Sequence, residues 1–578
     1  MRMLRKQALA FAIASMLIAP AVLAGAPYPT KDTPKAVDLG SQSSEQNELV
    51  TVTVALKLRN SDEMMELMER LYTSGNPQFH HFLSSAEFRE RFAPSDDTVQ
   101  GVEREFSAAG LKVTRVSSNL LSVTGTRVAV EKAFSVSLHT FEIPAHGHEG
   151  AYRFHAPTNA PQLSPVAAAN AEGVFGLDSQ SHFRPHIQHA PASFNQSLRP
   201  RGSTPAAGAP NTPDQPGNWT VTDFADYYDV NPLYSKGIQG QHRTVGIVTL
   251  ASFTPSDAFT YWNSLGLVTD PNRISVVNVD GGPGAPSDAS GSDETTLDVE
   301  QSGGIAPAAK MIVYQAPNTD QGYVDAFAQA IDADQADSIS SSWGSWEFFP
   351  SGVNLNNPNT SRTENELKVF NDLFIQAALQ GQSLFTAAGD EGAYDANRGL
   401  PVPPFNAILS VDNPADEPFI TAAGGTTLPG LQNYGPGGIV NINQEQVWGW
   451  DYLIPVCANL GFDPVSCGIN LVGGGGGVSV YFHTPFYQFF IPGIERSQPN
   501  QLLVDITQTP PQTITLPGNF WGRNVPDVSF NADPQTGYII VYTSDRNGFK
   551  VVNRIGGTSF VAPQLNGVTA LLDQSVHG

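Results

Sequence analysis

The sequence predicts an α/β protein with a large, mostly parallel sheet flanked by helices, preceded by a smaller unit of mixed strands and helices. Three observations predict it. The chain has 578 residues, more than one core usually organises, so two or more domains are expected. Short apolar runs at Thr244–Leu250, Ala309–Tyr314, Asp337–Ser342 and Gln382–Thr386 alternate with helical stretches, the signature of buried parallel strands. Between Glu48 and Glu142, strand and helix patterns alternate at close spacing.

In that first unit Val50–Leu58 alternates as a strand. Asp62–Thr73 has helical periodicity through Met65, Leu67, Met68 and Leu71, with Ser61 as candidate N-cap. Ser84–Phe92 and Asp96–Ala109 are further helices, the latter stopped by Gly110. Lys112–Val116 and Leu120–Thr124 are strands around a turn, Arg127–Phe134 is helical, and Ser137–Phe141 is a last strand. The order suggests a split β-α-β, ferredoxin-like sandwich. His80 and His81 are adjacent, so their side chains do not share a helix face and do not read as a metal pair.

From Ile143 to Asn218 the chain is rich in Pro, Ala, Ser and His. It reads as an exposed linker, with His182, His186 and His189 as solvated, acid-titrating groups. Residues 190–218 are the stretch expected to be processed, because exposed segments without long apolar residues are where chains are cut.

Met1–Ala24 reads as a signal peptide. Arg2, Arg5 and Lys6 precede an apolar run, and Val22-x-Ala24 offers small residues for cleavage. A secreted, extracellular protein follows, with no membrane association once the signal is removed. The net charge of -24 argues against nucleic acid or anionic membranes as partners. Cys457 and Cys467 are expected to pair and staple a local loop; their spacing fits neither a redox motif nor a zinc site.

Near the C-terminus lies Gly556-Gly557-Thr558-Ser559-Phe560-Val561-Ala562-Pro563. A serine among small residues at a helix start suits a nucleophile, because oriented backbone N–H groups stabilise the oxyanion formed at a carbonyl. Upstream, Ser290-Gly291-Ser292-Asp293 reads as a helix start and Gly303-Gly304 as its stop. Between them, Glu294 and Asp298 are four apart and project from one face. Two close carboxylates do not both ionise readily, so the pair can share and accept a proton. Glu300 and Asp293 point elsewhere and read as solvated charges. Asp390 follows a strand end in Ala388-Gly389-Asp390, where chemistry collects in parallel sheets.

Together these motifs resemble the sedolisin family of serine-carboxyl peptidases. Its pattern appears as Glu294-Thr-Thr-Leu297-Asp298, Ser338-Ile-Ser-Ser-Ser-Trp343-Gly344, Ala388-Gly389-Asp390, Gly424-Gly425-Thr426-Thr427, the glycine run from Gly473 to Gly477, Val525-Pro526-Asp527 and Gly557-Thr558-Ser559. The resemblance implies a subtilisin-like fold behind an activation pro-domain, with residues 25–189 as pro-domain and 219–578 as catalytic domain. It implies Ser559 as nucleophile, Glu294 as general base and acid, Asp298 as its orienting partner, and Asp390 as a protonated oxyanion donor. Trp343, Gly344, Gly474, Gly475 and Gly476 would line the substrate cleft.

The implied partners are protein or peptide substrates and the chain's own pro-domain, acting on a monomer. The implied activity is acid endopeptidase; a tripeptidyl-peptidase and an impaired binding protein are the alternatives. Calcium is implied as a cofactor, but this sequence offers no matching ligands, and a chain stopping at Gly578 reads as C-terminally truncated relative to the family. Two further departures stand out: Thr249 occupies a position where some members carry Glu, and Glu391 follows Asp390 where Ser is common.

Overall fold

In the computed structural model, residues 36–145, 151–180, 183–191, 194, 217–347, 365–398, 408–505 and 512–577 are described. The expected signal peptide and most of residues 190–218 lie outside the described residues.

The N-terminal unit is built on an antiparallel four-stranded sheet. Its spatial order is Lys112–Arg115, Leu120–Thr126, Leu49–Leu56, Ala171–Phe175. Numbered along the chain this is 2-3-1-4, the split β-α-β arrangement expected from sequence. The helices form over the stretches the periodicity predicts, and three of them carry side-chain caps. Ser84 and Glu87 close a reciprocal capping box on Ser85–Arg91, while Ser95 and Thr126 cap Asp96–Ala108 and Arg127–Phe134. Helix Ser61–Tyr72 buries Met64, Leu67, Met68 and Leu71, and its N-cap is Asn60 with Ser61 as first helical residue.

Two expectations about this unit change. The strand Leu138–Ile143 does not close the sheet; it pairs with Tyr152–Pro157 in a separate three-stranded sheet. The closing strand is Ala171–Phe175, inside the stretch expected to be linker, where helix Pro165–Asn170 also forms. Ala171–Phe175 is held by pairing with Leu49–Leu56, more than 100 residues earlier in the chain, which local composition does not report.

The large domain carries an eight-stranded sheet. Its order is Ile274–Asn278, Lys310–Gln315, Thr244–Thr249, Ser338–Ser341, Ser383–Ala387, Thr421–Thr427, with Val528–Asn531 and the short antiparallel Gln446–Val447 completing it beside Thr421–Thr427. Apart from that short strand every pairing is parallel. Helices Asp320–Ala333 and Glu366–Gln380 pack on one face; Pro255–Ser264, Ser292–Ile305 and Val561–His577 pack on the other. Strand side chains alternate between the faces: Val245 and Ile247 enter one core and Val248 the other. Cys457 and Cys467 form the expected disulfide.

The N-terminal unit docks on the face away from the nucleophile. Asp332 on helix Asp320–Ala333 receives Arg89, at 2.8 Å, together with Ser118. Thr53 donates to buried Asp325 at 2.6 Å, and Lys368 pairs with Glu172 at 2.6 Å.

Helix Ser292–Ile305 lies between its neighbours with no solvent face, and all of its residues except Asp293 are buried. Gly303 and Gly304 fall in the last turn of the helix, which ends at Ile305; a Cβ on Gly303 would meet the Trp262 ring at 2.3 Å and one on Gly304 would meet Val221 at 2.8 Å. Two charges expected to be solvated are covered. Glu300 is wholly buried, not solvated; it accepts the Val541 N–H at 3.2 Å, and burial pushes its carboxyl well above the ordinary range. Asp293 is mostly covered too, 3.9 Å from His189.

Candidate active site

Ser559 lies in the tight turn Thr558–Phe560 that leads into helix Val561–His577. The turn needs Gly557, whose φ of 105 is strained for any side chain. Ser559 is fully buried under the described residues that cover it.

Glu294 and Asp298 lie one turn apart on the helix packed against the nucleophile helix, and both are fully buried. Burial pushes Glu294 well above its ordinary range, the Asp298 charge adds to the rise, and the Ser559 hydroxyl beside it pulls back. Among the described residues, neither Glu294 oxygen nor Ser559 Oγ has a hydrogen bond of ordinary geometry. Such contacts are commonly long before substrate binds. Asp298 is also raised by burial, and Ser342 opposes that rise. The Ser342 hydroxyl donates to Asp298 Oδ1 at 2.6 Å and lies 3.2 Å from the Ser559 carbonyl, tying the helix to the nucleophile turn.

Asp390 follows strand Ser383–Ala387, as expected. Its Oδ1 accepts the Thr558 N–H at 2.8 Å and lies 3.0 Å from the Thr558 hydroxyl. A Cβ on Gly557 would fall 2.7 Å from Asp390 Oδ2, so this carboxyl borders the nucleophile turn.

The glycine run lies against the loop that carries Asp390. Gly473 N–H donates to the Asp390 carbonyl at 2.9 Å and Gly475 N–H to that of Gly389 at 2.7 Å. A Cβ on Gly475 would sit 1.7 Å from the Ala388 carbonyl, so this approach demands glycine. Gly474, Gly475 and Gly476, with Glu391 and Trp448, line a cleft of about 540 Å³; neither Ser559 nor Glu294 borders it.

Trp343 turns its indole inward. Its Nε1 donates to Thr249 Oγ1 at 3.0 Å, and Thr249 Oγ1 lies 2.7 Å from Thr295 Oγ1, which donates to the Ala251 carbonyl. Neutral groups therefore fill the position where the family resemblance raised a further carboxylate.

The largest departure from the sequence reading is the chain from Arg184 to His189. It runs as an extended strand through the groove over Ser559. Arg184–Pro185 pairs antiparallel with Trp343–Gly344, and Gln188–His189 pairs with Ile555–Gly556. Between them the His186 N–H donates to the Ser342 carbonyl at 3.0 Å, and the Ser559 N–H donates to the His186 carbonyl at 3.3 Å. His186 is completely buried, not a solvated histidine, with Nε2 3.2 Å from Asp412 Oδ2. His189 is half exposed, as expected; His182 lies outside the described residues. Asp412 was not singled out from sequence and sits in no motif. The alternation of apolar Phe183, Pro185 and Ile187 was the available signal for an extended strand.

Comparison with known proteins agrees with this architecture. Residues 36–180 match the family described as Pro-kumamolisin, activation domain, and residues 284–577 match the subtilase family. The chain is 31% identical to kumamolisin from Bacillus sp. (strain MN-32), covering 96% of this chain and 85% of that one. It is 29% identical to sedolisin from Pseudomonas sp. (strain 101), covering 98% and 85%. A solved Pseudomonas sedolisin, a serine-carboxyl proteinase complexed with two molecules of pseudo-iodotyrostatin, matches at 26% identity with a TM-score of 0.44, covering 63% of this chain and 82% of that one. Fold and site define a subtilase-type peptidase behind an activation pro-domain. Within that class, the chain belongs to the sedolisin family of serine-carboxyl peptidases.

Proposed function

We propose that the chain is a secreted, acid-acting serine endopeptidase, made as a self-processing precursor, that cuts peptide bonds with Ser559, Glu294 and Asp298. The observation that carries this reading is the sealed carboxyl pair beside the serine. Ser559 Oγ needs a base to become nucleophilic. Among the described residues, the buried histidine near it is His186, which belongs to the crossing segment and turns its ring to Asp412. Glu294 is the group beside the hydroxyl, and its raised affinity for protons suits a base that must later return the proton to the leaving amine. Asp298, held by Ser342, orients Glu294 and shares its proton.

The oxyanion would be met by the Ser559 N–H and by Asp390, which donates only when protonated. Acid operation follows. Glu294 with Asp298 must hold a site for the serine proton, whereas Asp390 must keep its own. Activity therefore follows a bell with its maximum below neutrality. Secretion is supported by the Met1–Ala24 signal pattern. Among the described residues no helix is long and apolar enough to cross a membrane.

Endopeptidase action is supported by the crossing segment. Chain extends from both sides of the His186 carbonyl without interruption, back to buried Phe183 and on to His189. A tripeptidyl-peptidase must block the groove three residues before the cut. Among the described residues no group of three or more His, Cys, Asp or Glu is arranged to hold the calcium that the resemblance implies.

The test is a pH–rate profile on a denatured protein substrate, with Glu294→Gln alongside. A maximum below pH 7 and loss of turnover in a folded Glu294→Gln are expected. A maximum above pH 7, or full activity in that variant, rejects the assignment.

A further inference from the structure

We propose that Glu347 and Asp416 share a proton, and that this buried acid pair positions strand Trp343–Trp346, on which extended substrate lies. The inference rests on the peptidase reading and goes beyond it, since neither residue belongs to the set of Ser559, Glu294, Asp298 and Asp390.

Strand Trp343–Trp346 has two edges. One receives the chain at Arg184–Pro185, so it is the edge that offers its backbone to an extended peptide in the groove. The other pairs antiparallel with Asp412–Asn413 through Ser345 and Trp346. Glu347 follows directly, and its N–H donates to the Val411 carbonyl at 2.9 Å. Its side chain reaches a different element. The carboxylate accepts the Val480 N–H at 3.1 Å, the Tyr481 N–H at 3.2 Å and the Ser479 hydroxyl. Those donors lie in strand Gly477–His483, which continues the glycine run packed on the Asp390 loop. Glu347 therefore ties the substrate strand to the wall that carries Asp390.

Asp416 closes the arrangement. Its N–H donates to the Asp412 carbonyl at 2.9 Å, and Asn413 Nδ2 donates to its Oδ1 at 2.7 Å. Glu347 and Asp416 are both buried, and their carboxyls are hydrogen-bonded to each other. Two carboxyls can bond in this way only if one carries a proton. The Ser479, Val480 and Tyr481 donors suit a charged Glu347. Asp416 Oδ2 meets no other donor among the described residues, so the proton sits there and is donated to Glu347.

No cation replaces that proton. Arg523, which acts on Asp416, is committed to Asp527 at 2.6 and 2.9 Å and to the carbonyls of Glu417 and Ile420. The other titratable neighbours, Glu417, Glu366 and Tyr481, add no positive charge. Burial and the Glu347 charge hold the Asp416 carboxyl well above its ordinary range. As pH rises through that raised range, two buried charges face each other and the tie is lost. The lock is complete in acid and opens with rising pH. Its loss falls on substrate binding, not on the chemistry at Ser559.

The mature enzyme is assayed for kcat and KM from about pH 4 to about pH 8 on a quenched-fluorescent peptide, beside Asp416→Asn and Asp416→Ala. In the parent, KM should climb by about tenfold or more across that range. Asp416→Asn keeps a hydrogen for Glu347 but cannot ionise, so its KM should stay within about threefold throughout. Asp416→Ala removes the donor, so its KM should exceed the parent's acid value by about tenfold at every pH, with kcat within about threefold. A parent KM that stays flat, an Asp416→Asn curve that follows the parent's, or losses confined to kcat overturns the proposal. Where Asp416→Ala does not fold, Asp416→Asn decides alone. Infrared difference spectra of Ser559→Ala with and without Asp416→Asn, at about pH 5, read the proton without turnover. A protonated-carboxyl band lost with Asp416→Asn is expected, and its absence overturns the pair. No Ser559-dependent cleavage of the peptide or of a denatured protein removes the peptidase reading, and the infrared band still decides on the shared proton.

Discussion

Helix Ser292–Ile305 carries two kinds of buried carboxyl within six residues of each other. Glu294 and Asp298 face the nucleophile turn; Glu300 faces the hairpin strand Tyr538–Ser544. All three are wholly buried, and burial raises all three. What separates them is their company. Glu300 accepts a backbone N–H from Val541 and does structural work, whereas Glu294 is left beside a serine hydroxyl with a second carboxyl one turn away. A perturbed carboxyl is therefore a weak pointer to chemistry until its neighbours are known.

The largest effect is expected at the nucleophile. Ser559→Ala should leave an unprocessed precursor and lower activity by roughly 10⁶-fold. Mature-size product from this variant in a protease-free system would break it. Asp298→Asn should cost about 10³- to 10⁴-fold in kcat with little change in KM, since it removes an orienting carboxyl and not a substrate contact. A loss confined to KM would place Asp298 with substrate instead.

Glu300→Gln is the counterpart. Its amide oxygen still accepts the Val541 N–H, so activity should stay within about threefold and stability within about 1 kcal/mol. A loss as deep as that of Asp298→Asn would erase the distinction drawn here.

The smallest effect concerns stability and pH. Glu294, Asp298, Glu300, Asp325, Glu366, Asp416 and Glu417 all have carboxyls raised by burial. Native groups raised in this way hold protons that the unfolded chain releases near pH ~4. Stability is therefore fully present below that range and is lost as pH rises toward the folded values, by about 1.4 kcal/mol per pH unit for each proton retained. The melting temperature of the Ser559→Ala precursor should fall between pH 4.5 and 7.5; a rise would mean that ionic contacts such as Arg89–Asp332 outweigh the buried acids.

Much of the fold was legible because its signals are local. The parallel strands appear as apolar runs, and the first unit's helices through apolar periodicity such as that of Leu67, Met68 and Leu71. The four motif residues also came together as expected, with Asp390 at a strand end and Glu294 one turn from Asp298. What escaped depends on contacts far along the chain. Strand Ala171–Phe175 is short and becomes a strand only by pairing with Leu49–Leu56. His186 reads as solvated because its partner, Asp412, is more than 200 residues away. Glu300 was misplaced because a helix with charges at several angles looks exposed, and nothing in its own residues reveals neighbours on every side.

The N-terminal unit touches the large domain in two separate places: its body on helices Asp320–Ala333 and Glu366–Gln380, and its trailing strand across Ser559. The first contact tethers the second. A strand of a few residues would bind a groove weakly from solution, but a short connection to a docked body raises its local concentration to the order of millimolar. Blocking by this route would be bivalent, with a strength set by the number of residues between Phe175 and Arg184 as much as by either contact. A fragment ending at Phe175 would occupy the back of the enzyme and leave the groove open to substrate, while one reaching His189 would close it.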